Sequence, residues 1–160
     1  MKKAVLLFSF FLLLITVNGQ DKYPEVFTVS TEFERIEIIR IQSGFDFLEA
    51  FKTGIQEKSI KNAVILSGIG SISAYHYHVV SDKNLPPAEE YPKASVPMDL
   101  TSVQGYILNR RIHAHITLAD ENSVVGGHLE SGTKALTFII VTIGVLPDEL
   151  EIDNFDNYKF

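Results

Sequence analysis

Apolar residues recur along this chain with two different periods, and the changes of period predict its elements. From Arg35 to Ile41 isoleucines are interleaved with Glu37 and Arg40, which reads as a strand. After the break at Ser43-Gly44, Phe47, Leu48, Phe51 and Ile55 follow at helical spacing. They predict an amphipathic helix covering a sheet face, capped by Ser43 or Asp46 and ending near Lys58-Ser59. Ala63 to Ser67 is a short apolar run, as in a buried strand. Gly68-Ile69-Gly70-Ser71 interrupts it. This Gly-x-Gly leads into the alternating stretch Ile72 to Val80 and not into a helix, so it reads as a glycine bend or bulge and not a phosphate loop.

Ser81 to Pro97 holds four of the six prolines, which excludes a central strand. A loop of this length suits either a lid or a subunit contact. Met98 to Leu108 resumes strand character, with Gly105 as the expected bulge. Ser131-Gly132 turns the chain into Thr133 to Val145, almost wholly apolar and therefore expected to be the central strand, buried on both faces. Beyond Pro147 an acidic tail carries Leu150, Ile152, Phe155 and Tyr158, apolar residues able to fold back. Six or seven strands and one main amphipathic helix predict an α+β domain with a mostly antiparallel, sandwich- or barrel-like sheet.

Between these lies the stretch richest in chemistry, Arg111 to Leu129. Ile112, Ala114, Ile116 and Leu118 alternate with His113, His115 and Thr117, so the two histidines share one strand face. Asp120 to Ser123 supplies the turn and Val124 to Leu129 a return strand. A symmetric hairpin centred between Asp120 and Glu121 sets His113 opposite His128 and His115 opposite Gly126. Three imidazoles would then converge, with Gly126 and Gly127 leaving space beside them. Three histidines with one position open is a ligand set for a tetrahedral divalent metal. A second pair, His76 and His78, shares a face of the Ile72–Val80 strand; with no third ligand at hairpin distance, it reads as solvated strand histidines.

Composition narrows the setting. Lys2-Lys3, the 14-residue, largely apolar run from Ala4 to Val17, and Val17-Asn18-Gly19 before Gln20 have the layout of a signal peptide over residues 1–19. The apolar run is short for a bilayer span of about 20 residues. A periplasmic or secreted protein with no membrane span after cleavage is expected. The chain has no cysteine, hence neither a lipobox nor disulfides. Removing 19 of 160 residues leaves 141, one domain over residues 25–160; the 14 basic residues become 12 against 20 acidic ones, a net charge of −8. That sign opposes nucleic-acid binding, which needs clustered Lys and Arg.

Four segments in order resemble the PPC (plants and prokaryotes conserved) domain family. They are Arg40 to Asp46, Ala63 to Ser73, Pro97 to Gly105, and His113-Ala114-His115 through Gly126-Gly127-His128, within about residues 35 to 147. The resemblance implies a homotrimer. More distantly, the hairpin is similar to the zinc-holding histidines of acetolactate decarboxylases, which makes His113, His115 and His128 the ligands. Asp99 stands where the family favours glutamate, and Phe45 replaces a common acidic residue. The family's DNA-binding label belongs with AT-hook segments in plant relatives; this chain has no Arg-Gly-Arg-Pro hook.

Zinc is the first expectation for the metal, with iron, nickel, cobalt or copper compatible with the same ligands. The outer ring nitrogens require acceptors, for which Asp99, Asp120, Glu121 and Glu130 are candidates. Two functions follow. One is a metal-holding binding module for a small, anionic ligand or a partner. The other is a metal-dependent lyase or hydrolase for a small oxo- or hydroxy-acid, with Arg40, Arg110 or Arg111 orienting the anion.

Overall fold

The structure is a computed structural model that describes residues 26–159; the signal-peptide expectation falls on residues outside this range. β1 (Arg35–Gln42) leads through Gly44, with φ at +82°, into α1 (Phe47–Glu57). Asp46 caps the helix: its Oδ1 accepts from Glu49 N at 3.1 Å, while its Oδ2 accepts from Gly132 N at 2.6 Å. The cap thus ties the start of the helix to the Ser131-Gly132 turn. Phe47, Phe51 and Ile55 form the buried stripe, each worth about 2–3 kcal/mol of apolar burial.

β2 (Asn62–Val80) is the hub. It is one long strand, because Gly68-Ile69-Gly70-Ser71 stays in the sheet; register shifts against β8 (Lys134–Leu146) fall at Ile65/Ser67, Gly70/Ile72 and Ile72/Ala74. β5 (Met98–Leu108), β6 (Arg111–Ala119) and β7 (Val124–Leu129) follow as an antiparallel meander. The order β1-β8-β2-β5-β6-β7 closes on itself, since Tyr77 and His78 of β2 pair with Leu129 and His128 of β7. Among the described residues this is a mostly antiparallel sheet with a single helix. The ring is not a clean barrel: β1 and β8 extend outside it, and the β2–β7 seam spans two residue pairs. Between β2 and β5, the proline-rich segment contributes only β3 (Glu89–Glu90) and β4 (Lys93–Ala94), both paired to the end of β2.

Ile72, Leu100, Ile107, Ile116, Leu118 and Ile139 meet inside. Two expectations change. Thr133–Val145 is not the central strand buried on both faces: β8 lies between β1 and β2, and one of its faces stays partly open at Leu136 and Phe138, which are 41% and 37% exposed. Gly105 is not a bulge either. It stays in register, opposite Ala114 and Ile65, and its missing side chain serves close approach: a Cβ there would sit 2.0 Å from the His113 carbonyl oxygen. The bulge of β5 lies between Leu100 and Ser102 instead.

The acidic tail folds back. Ile152 is buried with Leu108 and Leu146. Buried Asn62 fastens it, donating from Nδ2 to Leu150 O at 2.9 Å and accepting from Asn109 N at 3.0 Å. This places Phe155 and Asp156 beside the start of β6.

Candidate metal centre

Alternation along β6 does what the sequence pattern requires: Ala114, Ile116 and Leu118 are buried, which turns His113 and His115 to the outer face. The hairpin register differs from expectation by two residues. His115 faces His128, and Gly126 faces Thr117. The cause is the turn. Asp120 Oδ1 accepts from Asn122 N at 2.8 Å and Ser123 N at 2.7 Å, so the four-residue loop is centred between Glu121 and Asn122. An even shift preserves which face each residue occupies, and the convergence survives. The His128 ring centroid lies 4.8 Å from that of His113 and 5.3 Å from that of His115, with one donor atom from each of the three within 4.8 Å of the others.

Gly126 and Gly127 let the strands approach. A Cβ on Gly126 would lie 2.2 Å from Ile116 O, and one on Gly127 would lie 2.4 Å from His78 O. The second contact brings His78 into the cluster, opposite His128 with the rings stacked at 4.5 Å. The solvated-histidine reading therefore fails for His78. His76 is separate: its Nδ1 donates to Ser131 O at 2.8 Å.

Asp156 was invisible to sequence reasoning and is the acceptor that orients His113. His113 Nδ1 donates to Asp156 Oδ2 at 2.7 Å, which leaves Nε2 as this ring's ligand atom. Arg111 binds both oxygens of the same carboxylate, its Nη2 donating to Oδ1 at 2.8 Å. This pairing, with a smaller contribution from His113, holds the carboxyl down at about 2. Of the other acceptors considered, Glu130 takes His78 Nδ1–H at 2.7 Å, Asp120 caps the turn, and Asp99 faces Ser71 and Ala119 away from the cluster. Arg40 lies on β1 over the Phe138 ring, and Arg110 sits in the β5–β6 turn, so neither joins the histidines.

Burial first, then the neighbouring imidazoles, lowers His115 and pushes His128 down to about 4. Both rings are thus neutral at pH 7, the state in which imidazole binds metal. The donor set therefore fits a divalent ion. His113 and His115 also line a groove of about 760 Å³ together with Gln104, Tyr106, Phe155 and Asp156.

The profile of the Plants and Prokaryotes Conserved (PCC) domain matches residues 29–147. The chain belongs to this family. Comparison with curated protein sequences gives no match. Solved structures similar to this PCC domain include a metal-containing protein from Archaeoglobus fulgidus (21% identity, TM-score 0.65, covering 76% of this chain and 86% of that one). A plant- and prokaryote-conserved (PPC) protein from Pyrococcus horikoshii matches at 21% identity and TM-score 0.63, covering 79% and 89%. At these identities the likeness concerns the fold. Acetolactate decarboxylase from Bacillus subtilis is more remote, at 17% identity and TM-score 0.48 over 71% of this chain and 53% of that one. Phe155 and Asp156 lie beyond the matched PCC segment.

Proposed function

We propose that this PCC-domain protein binds a divalent metal, zinc first, through His113, His115 and His128, and presents it to a small ligand in the adjoining groove. One observation carries the reading: three imidazole donors lie within 4.8 Å of one another at the edge of a 760 Å³ groove. Asp156 fixes the tautomer of His113, as an acceptor behind a metal ligand does. When bound, such an ion supplies a Lewis-acid centre with one coordination position for a ligand. The metal-containing relative from A. fulgidus has the same fold and agrees with this reading.

The groove suggests what that ligand is like. Among the described residues that line it, Asp156 is the one with an acidic or basic side chain apart from the histidines, and Arg111 is engaged by that carboxylate. The lining favours a mostly neutral body with one metal-seeking group over a strongly anionic acid. Binding is accordingly preferred to lyase or hydrolase turnover, which would need a free cation to orient an oxo-acid. The signal-like residues 1–19 support export, and exposed Ile36, Ile38, Leu136 and Phe138 support burial of the β1–β8 face in a homotrimer. A net charge of −6 argues against a nucleic-acid partner.

Elemental analysis of zinc-loaded, dialysed protein tests the site. The three-histidine position contributes one ion per chain, and His113→Ala with His115→Ala removes it. Unchanged zinc content in that variant, or no zinc in the wild type, refutes the assignment. Light scattering that reports a monomer at micromolar concentration refutes the trimer.

A further inference from the structure

His78 and Glu130 stand next to the three-histidine set without belonging to it. Glu130 opens the turn after β7, and its backbone N donates to His76 O at 3.1 Å, which fixes it beside β2. Its Oε1 lies 2.7 Å from His78 Nδ1. His78, His128 and Glu130 each offer one ligand atom, and the three atoms lie within 4.8 Å of one another, the same spread as in the first set. The far side of the His78 ring is also furnished. Glu89 Oε1 is 3.7 Å from His78 Nε2, Tyr91 OH donates to Glu89 Oε2 at 2.5 Å, and the Tyr91 and His78 ring centroids are 5.3 Å apart. Backbone pairing of Glu89 and Glu90 with Val80 and Val79 holds this wall in place.

We infer that His78, His128 and Glu130 form a second divalent-cation position beside the three-histidine one, with His128 common to both. Holding two cations makes His128 an imidazolate: each ring nitrogen faces one cation, and the remaining N–H proton is released to solvent when the second ion binds. The hydrogen bond between His78 Nδ1 and Glu130 Oε1 marks where the second cation goes; the cation takes the place of the bridging hydrogen, the ring's N–H then sits at Nε2 facing Glu89, and the carboxylate becomes a ligand. Glu89 then plays toward His78 Nε2 the part that Asp156 plays toward His113 Nδ1, an acceptor that orients a ligating ring. The two positions differ in kind. The first has imidazoles alone, whereas the second adds a carboxylate and has another behind it, a mixed nitrogen and oxygen set suited to zinc, manganese or iron. The proline-rich segment acquires a role as well: it carries the outer wall of the second position.

The inference rests on the proposed three-histidine centre only through His128, and zinc titration followed by calorimetry and elemental analysis separates the two. Wild-type protein is expected to take up two zinc ions per chain. His113→Ala with His115→Ala retains one, His78→Ala with Glu130→Gln retains one, and Glu89→Gln weakens the second ion about 10–100-fold while leaving the first unchanged. A single ion lost only in the His113/His115 variant overturns this inference and leaves the first centre standing. A single ion lost only in the His78/Glu130 variant does the reverse. Two ions retained in the His78/Glu130 variant also overturn the second position. Should that double variant fail to fold, Glu130→Gln alone and Glu89→Gln decide the question by the affinity of the second ion.

Discussion

Acidifying the metal-free protein from pH 7 to pH 4.5 is expected to destabilise it through His128. The ring sits among three other imidazoles, and burial with their repulsion pushes its pKa down from 6.5 to about 4. Above pH 6.5 the ring is neutral folded and unfolded, so the proton equilibrium takes nothing from stability. As pH falls below 6.5 the unfolded chain gains a proton that the folded one refuses, and stability drops until the folded ring titrates near 4. A shift of this size corresponds to about 3.5 kcal/mol at roughly 1.4 kcal/mol per unit; screening of a partly solvent-open ring brings it to about 1.5–2 kcal/mol. Asp156 is silent in this window. Its carboxyl is held at about 2, so its contribution is complete above 3.8 and is lost only below that. Urea unfolding with a chelator at pH 7 and pH 4.5 should therefore show a larger loss for wild type than for His128→Gln, by about that amount. Equal losses in the two proteins would refute a crowded, proton-refusing cluster.

Further outcomes follow from the same contacts. Asp156→Asn should weaken zinc binding about 10–100-fold, read by competition with a chromogenic chelator, and should also lower the urea midpoint, because the carboxylate's pairing with Arg111 is lost. Gly127→Ala should cost about 3 kcal/mol or more by urea unfolding, because its Cβ meets the His78 carbonyl at 2.4 Å; Gly44→Ala, with open space but φ at +82°, should cost only about 1 kcal/mol. Phe51→Ala removes the centre of the helix stripe and should cost about 3–5 kcal/mol in the same assay.

Local periodicity made much of this legible. The helix starts and stops where Phe47, Phe51 and Ile55 place it, and alternation alone put His113 and His115 on one face. The hairpin register was misplaced because the hydrophobic pattern is blind to an even shift, and the Asx bonds of Asp120 set it. His78 was underrated because its neighbour His128 arrives only when β7 closes the ring, a contact between segments 50 residues apart in number. Asp156 had no pattern at all: it reaches His113 because Asn62 and Ile152 fold the tail onto the end of the sheet. The over-reading of Thr133–Val145 has a related cause. An apolar face reads the same in sequence whether this chain covers it or leaves it open.

The irregularities of β2 bear on how such a chain can change over time. Ile65 and Ile72 are both buried, as are Ile72 and Tyr77, yet each pair is an odd number of residues apart. An unbroken pleat would send the members of each pair to opposite sides. The shifts at Ile65/Ser67, Gly70/Ile72 and Ile72/Ala74 reset the phase, so that the strand re-enters the core and still delivers His78 to His128. Conservative replacements within this strand leave that phase intact. A one-residue insertion or deletion between Leu66 and Ser73 would invert it for everything downstream, trading Tyr77 for His78 at the core. Drift by substitution is open to this segment, and drift by length is closed.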